Sequence, residues 1–349
     1  MRIVLPLFVS WGTPENMTAI RLTKAHQFWP LTEYIGGFGV PVGRYIERFH
    51  IPEKMLVTPE LYIDEVRFWR LAGDLAEREG FLDWGFRAAQ KLDLLAFGEF
   101  GNNLLRQPTL KAALETFVTT ISAEALNCPF GVMHQGKYFW LMMRGECNGP
   151  AGKSVVELYD LEWMNKLVQS ALGNQWLPPA VHLQCASLPV GLDASEICTG
   201  SIRYSSTMTA IAIPEELMAT PMSRYRSSPE AEFVMQGDAT SQVDFATSLR
   251  LLMTGYLDER LSITSCAELV GMSERTLQRR LSEHDTTFND LHDLTRFDRA
   301  KQLLQDRSIS LSEISYELGY ANPANFTRAF HRWAGVSPRQ YRRTNCQPH

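Results

Sequence analysis

Apolar residues recur every three or four positions along several stretches of the chain, and each such stretch predicts a helix. In TPELYIDEVRFWRLAGDLAEREG, residues 58–80, Tyr62, Val66, Trp69 and Ala76 share one face. Thr58 stands as N-cap, Pro59 opens the first turn and Gly80 stops the helix. In QPTLKAALETFVTTISAEAL, residues 107–126, the face is Leu110, Leu114, Phe117 and Ile121, and a third helix runs from Ser154 to Leu172. Between them, CPFGVMHQGKYFWLMMRG reads as a β-hairpin turning at Gln135-Gly136. Its second strand, Tyr138 to Met143, is bulky and apolar on both faces, so it must be covered on both. The shorter pieces AVHLQC, SIRYSS and TMTAIAIP also read as strands. The pattern predicts an α+β domain over residues 1–225.

The text then changes. SRYRSSPEAEFVMQGDATSQV has no sustained period and is rich in Ser, Pro, Gly and charge, which places a linker at residues 226–242. Beyond it, residues 243–349 read as helix throughout. One helix carries Phe245, Leu249, Leu252, Met253 and Tyr256, and another Leu291, Leu294, Phe297, Ala300 and Leu304.

This second region contains an internal repeat. Laying Gly271 on Gly319 puts Ser262 on Ser310, Ile263 on Leu311 and Val270 on Leu318. One residue further out of step, Leu277 falls on Phe326, Arg279 on Arg328 and Leu281 on Phe330. SCAELVGMSERTLQRRL and SEISYELGYANPANFTRAF are each a short helix, a turn with Gly and a second helix, the helix-turn-helix pattern. Gly271 and Gly319 lie where the first helix must end left-handed, Ser273 and Asn322 suit N-caps, and Pro323 suits a first turn.

In such a unit the second helix packs one face on its own domain and offers the other to the DNA major groove. Leu277, Leu281, Phe326 and Phe330 form the packing face; Arg275, Gln278 and Arg279 remain free in the first unit, and Asn325, Thr327 and Arg328 in the second. Arg forks match guanine and Gln or Asn match adenine, each good pair giving ~1–3 kcal/mol of discrimination. Two amphipathic helices with solvated polar faces would leave the same pattern, although two in register joined by a helix weaken that reading.

The C-terminal hundred residues resemble the DNA-binding domain of AraC/XylS-type bacterial transcription regulators. The resemblance rests on ELGYANPANFTRAFHRWAGVSPRQYRR, Glu317 to Arg343, and on Ser273, Leu277, Arg279 and Leu281 in the first unit. It implies an all-α domain with two helix-turn-helix units held by a linking helix, entering successive major-groove segments of double-stranded DNA. It assigns base reading to Arg275, Gln278 and Arg279, then to Ala324, Asn325, Thr327 and Arg328. Arg342, outside both recognition helices, is the candidate phosphate contact. Pro323 and Ala324 stand where the family is often polar, so the second unit is expected to read bases more weakly. RQPTLKAALETF and SIRYSSTMTAIAIPEELMATPM resemble the sensor domain of the family's arabinose- and ornithine-responsive branch. That implies a homodimer controlled by an effector, and contact with RNA polymerase if the protein activates.

Charge agrees with this division. The chain carries net −5, but residues 243–349 carry +1 and residues 296–343 carry +5. The six cysteines never form CxxC and the histidines show no ligand spacing, which points to reduced structural thiols, no metal and no cofactor in a cytoplasmic protein. The N-terminus lacks the pattern of a secretory leader, and no apolar run approaches the ~20 residues of a membrane span.

CNGPAGKS, before a helix, invites a nucleotide reading through Lys153, but Cys147 stands where a phosphate loop needs its first Gly. GGFGVPVG likewise misses its third Gly at Val42, and no GxSxG is present, so an enzyme has no residues to stand on. For an effector, the favoured class is a small apolar or amphipathic metabolite. Tyr138, Trp140 and Met142 on one strand face and Trp69 on the nearby helix are its candidate walls; plain core packing is the competing reading. A sensor domain that docks a protein and binds no small molecule also stays open.

Overall fold

The computed structural model describes residues 19–128, 130–143, 152–224, 243–259 and 261–345. They form two compact units, one from residue 21 to 224 and one from 243 to 345, with residues 19–20 grouped with the second. The expected linker, residues 226–242, lies outside the described residues.

The first unit is α+β. Its helices are α1 (Trp29–Gly36), α2 (Val42–Arg48), α3 (Glu65–Glu79), α4 (Trp84–Gln90), α5 (Gly98–Leu105), α6 (Leu110–Thr120) and α7 (Lys153–Leu172). Strands β1 (Leu22–Lys24), β2 (Tyr62–Asp64) and β3 (Ala125–Leu126) make a small sheet in the order β2-β1-β3. Strands β4 (Phe130–Gln135), β5 (Tyr138–Met143), β6 (Ala180–His182), β7 (Ser201–Arg203) and β8 (Thr209–Pro214) make a second, ordered β4-β5-β8-β6-β7.

α7 is the pillar of this unit. Val155, Val156, Leu158, Tyr159, Leu161, Trp163, Met164, Leu167 and Val168 are all buried, so the helix is apolar around its whole girth. It packs against α3, α4 and β8. Glu157 is a buried carboxylate on this helix that is held by partners. Its carboxylate accepts from the backbone N–H groups of Gln184 (2.6 Å) and Cys185 (3.0 Å) and from Thr209 Oγ1 (2.6 Å). That arrangement ties α7 to the chain after β6 and to the start of β8.

Two expectations are corrected here. The helix read from Thr58 begins at Glu65, because Tyr62–Asp64 pairs antiparallel with β1 and Asp64 caps α3 by accepting from the Arg67 N–H at 2.8 Å. Sheet pairing thus takes the residues that helical spacing had claimed. The hairpin turns at Gly136-Lys137 instead of Gln135-Gly136: Gln135 pairs with Tyr138, and Gly136 takes the left-handed conformation (φ 64°). On α6, Leu110, Leu114, Phe117 and Ile121 are buried as the spacing requires, with Thr109 as the cap.

The second unit is helical throughout its described residues: α8 (Phe245–Thr254), α9 (Ile263–Leu269), α10 (Glu274–Ser282), α11 (Phe288–Gln305), α12 (Leu311–Glu317), α13 (Pro323–Ala334) and α14 (Pro338–Asn345). α9 with α10, and α12 with α13, are the two helix-turn-helix units, and α11 links them. Ser262 and Ser310 cap α9 and α12 through reciprocal capping boxes, while Ser273 and Asn322 cap the recognition helices α10 and α13. Gly271 and Gly319 both close the preceding helix with positive φ, 67° and 77°. On α11, Leu291, Ala300 and Leu304 are buried and Phe297 packs on the core, but Leu294 is 47 % exposed. The helical spacing had placed Leu294 inward; α11 has no described partner on that side.

Candidate functional site

The two recognition helices divide their faces as the repeat implies. Leu277 and Leu281 of α10, and Phe326 and Phe330 of α13, are essentially inaccessible. On the opposite side of α10, Arg275, Gln278 and Arg279 are exposed. Arg279 Nη1 lies 2.6 Å from Glu283 Oε1, one turn along the helix, with both side chains more than half exposed. A pair in such a position contributes only ~0.2–1 kcal/mol, so it can open to let the guanidinium reach another acceptor.

On α13, Ala324, Thr327 and Arg328 are exposed and Asn325 is half-buried. Here the polar groups are engaged within the helix: Arg328 Nη2 donates to Asn325 Oδ1 at 2.5 Å and Thr327 Oγ1 to the Pro323 carbonyl at 2.9 Å. Arg342, read as a phosphate contact, is turned inward. It is half-buried, and its Nη2 donates to the Ile309 carbonyl at 2.8 Å, which ties α14 to the loop before α12. Arg339 and Arg343 are the arginines of α14 exposed to solvent.

The first unit contains a separate candidate, a pair of small adjoining cavities. One, of about 10 Å³, is bounded by Arg21, Trp69, Lys153, Glu157 and Gln184. The other, of about 50 Å³, is bounded by Phe28, Phe117, Phe130, Tyr159 and Trp163. Glu65, Cys128, Met143, Val156 and Asp160 line both. α7 supplies Lys153, Val156, Glu157, Asp160 and Trp163, residues three or four apart that share one helical face.

Most polar groups here are held by neighbours. Arg21 Nε lies 3.1 Å from Glu65 Oε2, and its guanidinium stands 4.6 Å above the Trp69 ring. The Cys128 thiol donates to Glu65 Oε2 at 3.5 Å, and burial pushes its pKa well up, so it stays protonated. Lys153 Nζ donates to Gln184 Oε1 (2.9 Å), and Gln184 Nε2 to Thr209 Oγ1 (2.9 Å). Lys153, the residue of the nucleotide reading, therefore points into this network. Gly152 before it packs so closely on α3 that a Cβ would lie 1.6 Å from the Trp69 carbonyl oxygen. Residues 147–151 of that motif lie outside the described residues.

Asp160 differs from the rest. No hydrogen bond or ion pair of the described residues reaches its carboxyl, and loss of water, reinforced by the charges of Glu65 and Glu157, pushes its pKa well up. Glu162, two residues on and so on the other side of the helix, is likewise raised by burial, to about 7.

Of the four effector candidates read from the sequence, Trp69 lines a cavity. Tyr138, Trp140 and Met142 do not. They face the other side of β5 from Met143, where Trp140 and Met142 cluster with Ala210 and Ala212 and the Trp140 ring lies 4.5 Å from that of His182. Alternation along the strand separates the two sets. Arg21, Glu65, Cys128 and Asp160 were missed as site residues. The visible signal was a pair of acids, Glu157 and Asp160, three apart on a helix with apolar residues on every side.

Residues 266–344 match the helix-turn-helix domain family, and residues 39–222 match the arabinose-binding domain of the AraC transcription regulator, N-terminal part. The HTH-type transcriptional regulator VirS of Mycobacterium tuberculosis (strain ATCC 25618 / H37Rv) is 23% identical over 333 residues, 92% of this chain and 96% of VirS. VqsM of Pseudomonas aeruginosa is 36% identical over 94 residues, 27% of this chain and 29% of VqsM. The crystal structure of the transcriptional regulator CdpR from Pseudomonas aeruginosa is 20% identical and covers 91% of this chain and 98% of its own, with a TM-score of 0.37. With one family domain spanning more than half of its length and the other running from within α9 through the second helix-turn-helix unit, the chain belongs to the AraC family of DNA-binding transcription regulators.

Proposed function

We propose that this regulator reads operator sequence through α10 first and α13 second, and that a small molecule bound in the first unit controls it. The observation that carries the DNA reading is the division of faces on α10: Leu277 and Leu281 sealed in the core, Arg275, Gln278 and Arg279 exposed behind a Ser273 cap. Three long donors on one exposed edge suit bidentate contacts to purines in the major groove. α13 adds Ala324, Asn325, Thr327 and Arg328, with Arg328 and Asn325 bonded to each other and so less free to bond bases. Arg339 and Arg343 are the positions of α14 for phosphate contact, replacing Arg342, whose guanidinium is held by Ile309. A homodimer would place two such domains on neighbouring half-sites, and an activator would present one surface to RNA polymerase. The reading includes no catalytic step.

The test is binding to an operator found by genome-wide footprinting. Arg279→Ala should cost about 1–3 kcal/mol on cognate DNA and relax base preference at one position. Arg343→Ala should weaken cognate and scrambled DNA alike and lower the salt slope by about one ion. Equal losses on both DNAs for Arg279→Ala would reject the base-reading assignment.

Effector control is supported by the adjoining cavities beneath α7, which border both apolar rings and a carboxyl without a hydrogen bond among the described residues. A sugar, an amino acid, an amine or an apolar acid that shifts DNA affinity of the full chain establishes it. Absence of any such response favours a first unit that docks a protein.

A further inference from the structure

The two recognition helices differ in the kind of base edge they can meet. In the register that lays Leu277 on Phe326, Arg275 falls on Ala324 and Gln278 on Thr327. Where α10 offers two long hydrogen-bonding side chains, α13 offers two short ones.

Ala324 and Thr327 are exposed, while Phe326, Ala329 and Phe330 of the same helix are buried. Three residues apart, they are neighbours on the helix surface. They also stand in the first two turns of α13, and the N-terminal residues of a recognition helix are those that meet base edges. Ala324 has a methyl group and nothing else to offer. Thr327 Oγ1 donates its proton to the Pro323 carbonyl at 2.9 Å, so the hydroxyl is spent as a donor within the helix and the Cγ2 methyl remains. The polar pair beside them, Asn325 and Arg328, is bonded to itself at 2.5 Å. This stretch of the edge is therefore apolar, although it belongs to a helix whose other exposed side chains are polar.

We propose that α13 reads a thymine by its 5-methyl group, which packs against the methyls of Ala324 and Thr327. This rests on the proposed reading of operator DNA by the two helices, and it names the base that the second one takes.

Thymine is the base whose major-groove edge carries an apolar group. Cytosine presents an amino donor there, and the purines present N7 beside an amino or oxo group. Two methyls can bury a third, but they satisfy no donor or acceptor, and a polar edge covered without a partner costs free energy. Ala324 and Thr327 thus favour thymine by contact and disfavour cytosine by the amino group they would leave unbonded. The expected strength is modest. Removing one methyl from water corresponds to about fourfold in affinity. A good bidentate pair such as Arg with guanine gives about fivefold to over a hundredfold. A helix that reads by methyl contact is the weaker reader of the two.

The experiment uses full-length protein and its footprinted operator, with each thymine replaced in turn by deoxyuridine. That change removes the 5-methyl group and keeps every hydrogen-bonding atom. At one thymine in the segment contacted by α13, affinity should fall about fourfold. Cytosine at that place should weaken binding further, and 5-methylcytosine should recover part of the loss. Two variants assign the contact. Ala324→Gly and Thr327→Ser each remove one methyl, and each should bring the deoxyuridine penalty at that thymine below about twofold, with penalties elsewhere as in the wild type. Thr327→Ser, which keeps the hydroxyl, decides alone if Ala324→Gly fails to fold. No thymine responding, or a response that the variants leave at its wild-type size, overturns the proposal. If Arg279→Ala then still relaxes base preference, the reading of operator DNA by the two helices stands without it. If Arg279→Ala instead loses equally on cognate and scrambled DNA, both fall.

Discussion

The two helix-turn-helix units share caps, turns and spacing, yet they are built from different material. The first packs aliphatic residues: Leu277 and Leu281 of α10 are buried, as are Leu269, Cys266 and Ala267 of α9. The second is aromatic. Phe326, Phe330, Phe297, Trp333, Tyr320 and Tyr341 touch edge to face or tilted at 5.4–5.9 Å. α11 is also tied more heavily to the second. Arg296 Nε donates to the Leu318 carbonyl, Arg299 pairs with Glu317 at 2.6 Å, and Asp293 accepts from Arg332 (2.6 Å) and Trp333 Nε1 (3.3 Å). Towards α8 its ion pair is Arg250 with Asp298. In the first unit Arg275 and Arg279 are exposed while Arg280 lies over the Phe245 ring; around the second, Arg296 and Arg299 of α11 and Arg342 of α14 are bonded inward. Under the proposed function the first repeat is the main reader and the second the anchor.

Breaking the anchor should have the largest effect. Phe330→Ala removes a ring at the centre of the aromatic cluster and should destabilise the second unit by about 3–5 kcal/mol, read as a fall in denaturation midpoint. A loss below 1 kcal/mol would mean the cluster is not the keystone described.

The turn glycines sharpen the contrast. Both have positive φ, so Ala at either incurs ~1–2 kcal/mol of backbone strain. At Gly271 an added Cβ meets open space, whereas at Gly319 it would lie 2.2 Å from the Leu257 carbonyl oxygen, which is backbone and cannot swing aside. Gly319→Ala should therefore cost clearly more than Gly271→Ala in chemical denaturation. Equal costs would remove the close approach from the account.

DNA affinity gives the next contrast. Arg279→Ala is expected to cost about 1–3 kcal/mol on operator DNA, and Arg328→Ala less, because Arg328 must first leave Asn325. The reverse order would make the second unit the reader.

The smallest effect concerns pH. His292 of α11 is buried, and loss of water, with Arg296 nearby, lowers its pKa to about 4. The fold thus favours neutral His292 relative to the unfolded chain. That contribution is complete above the usual pKa near 6.5 and is lost as pH falls towards 4. Stability of the full chain should decline over that window, and His292→Gln should flatten the decline; an unchanged slope would exclude His292 as its source.

Local chemistry was enough to read much of this from residues alone. The caps Ser273 and Asn322, the glycines at 271 and 319, and the packing positions Leu277, Leu281, Phe326 and Phe330 each follow from backbone geometry within a few residues, so their meaning survives without the fold. The apolar strand Tyr138–Met143 could be recognised for the same reason, since alternation is a property of the chain itself.

Tertiary structure decided what local pattern leaves degenerate. Periodicity could place Tyr62 and Val66 on a helix face, but only a partner strand shows that Tyr62–Asp64 belongs to a sheet. Alternation could say that β5 has two apolar faces, but not that Met143 borders the cavities while Trp140 lies opposite. An arginine in a basic segment reads the same whether it meets solvent or the carbonyl of Ile309. Asp160 gains its raised pKa first from the surroundings that keep water from it, and then from Glu65, nearly a hundred residues away. Residue type and spacing along a chain determine local conformation, because those forces act over one or two turns. Burial, ion pairing and the placement of a cavity depend on residues distant in sequence, and only the packed chain brings them together.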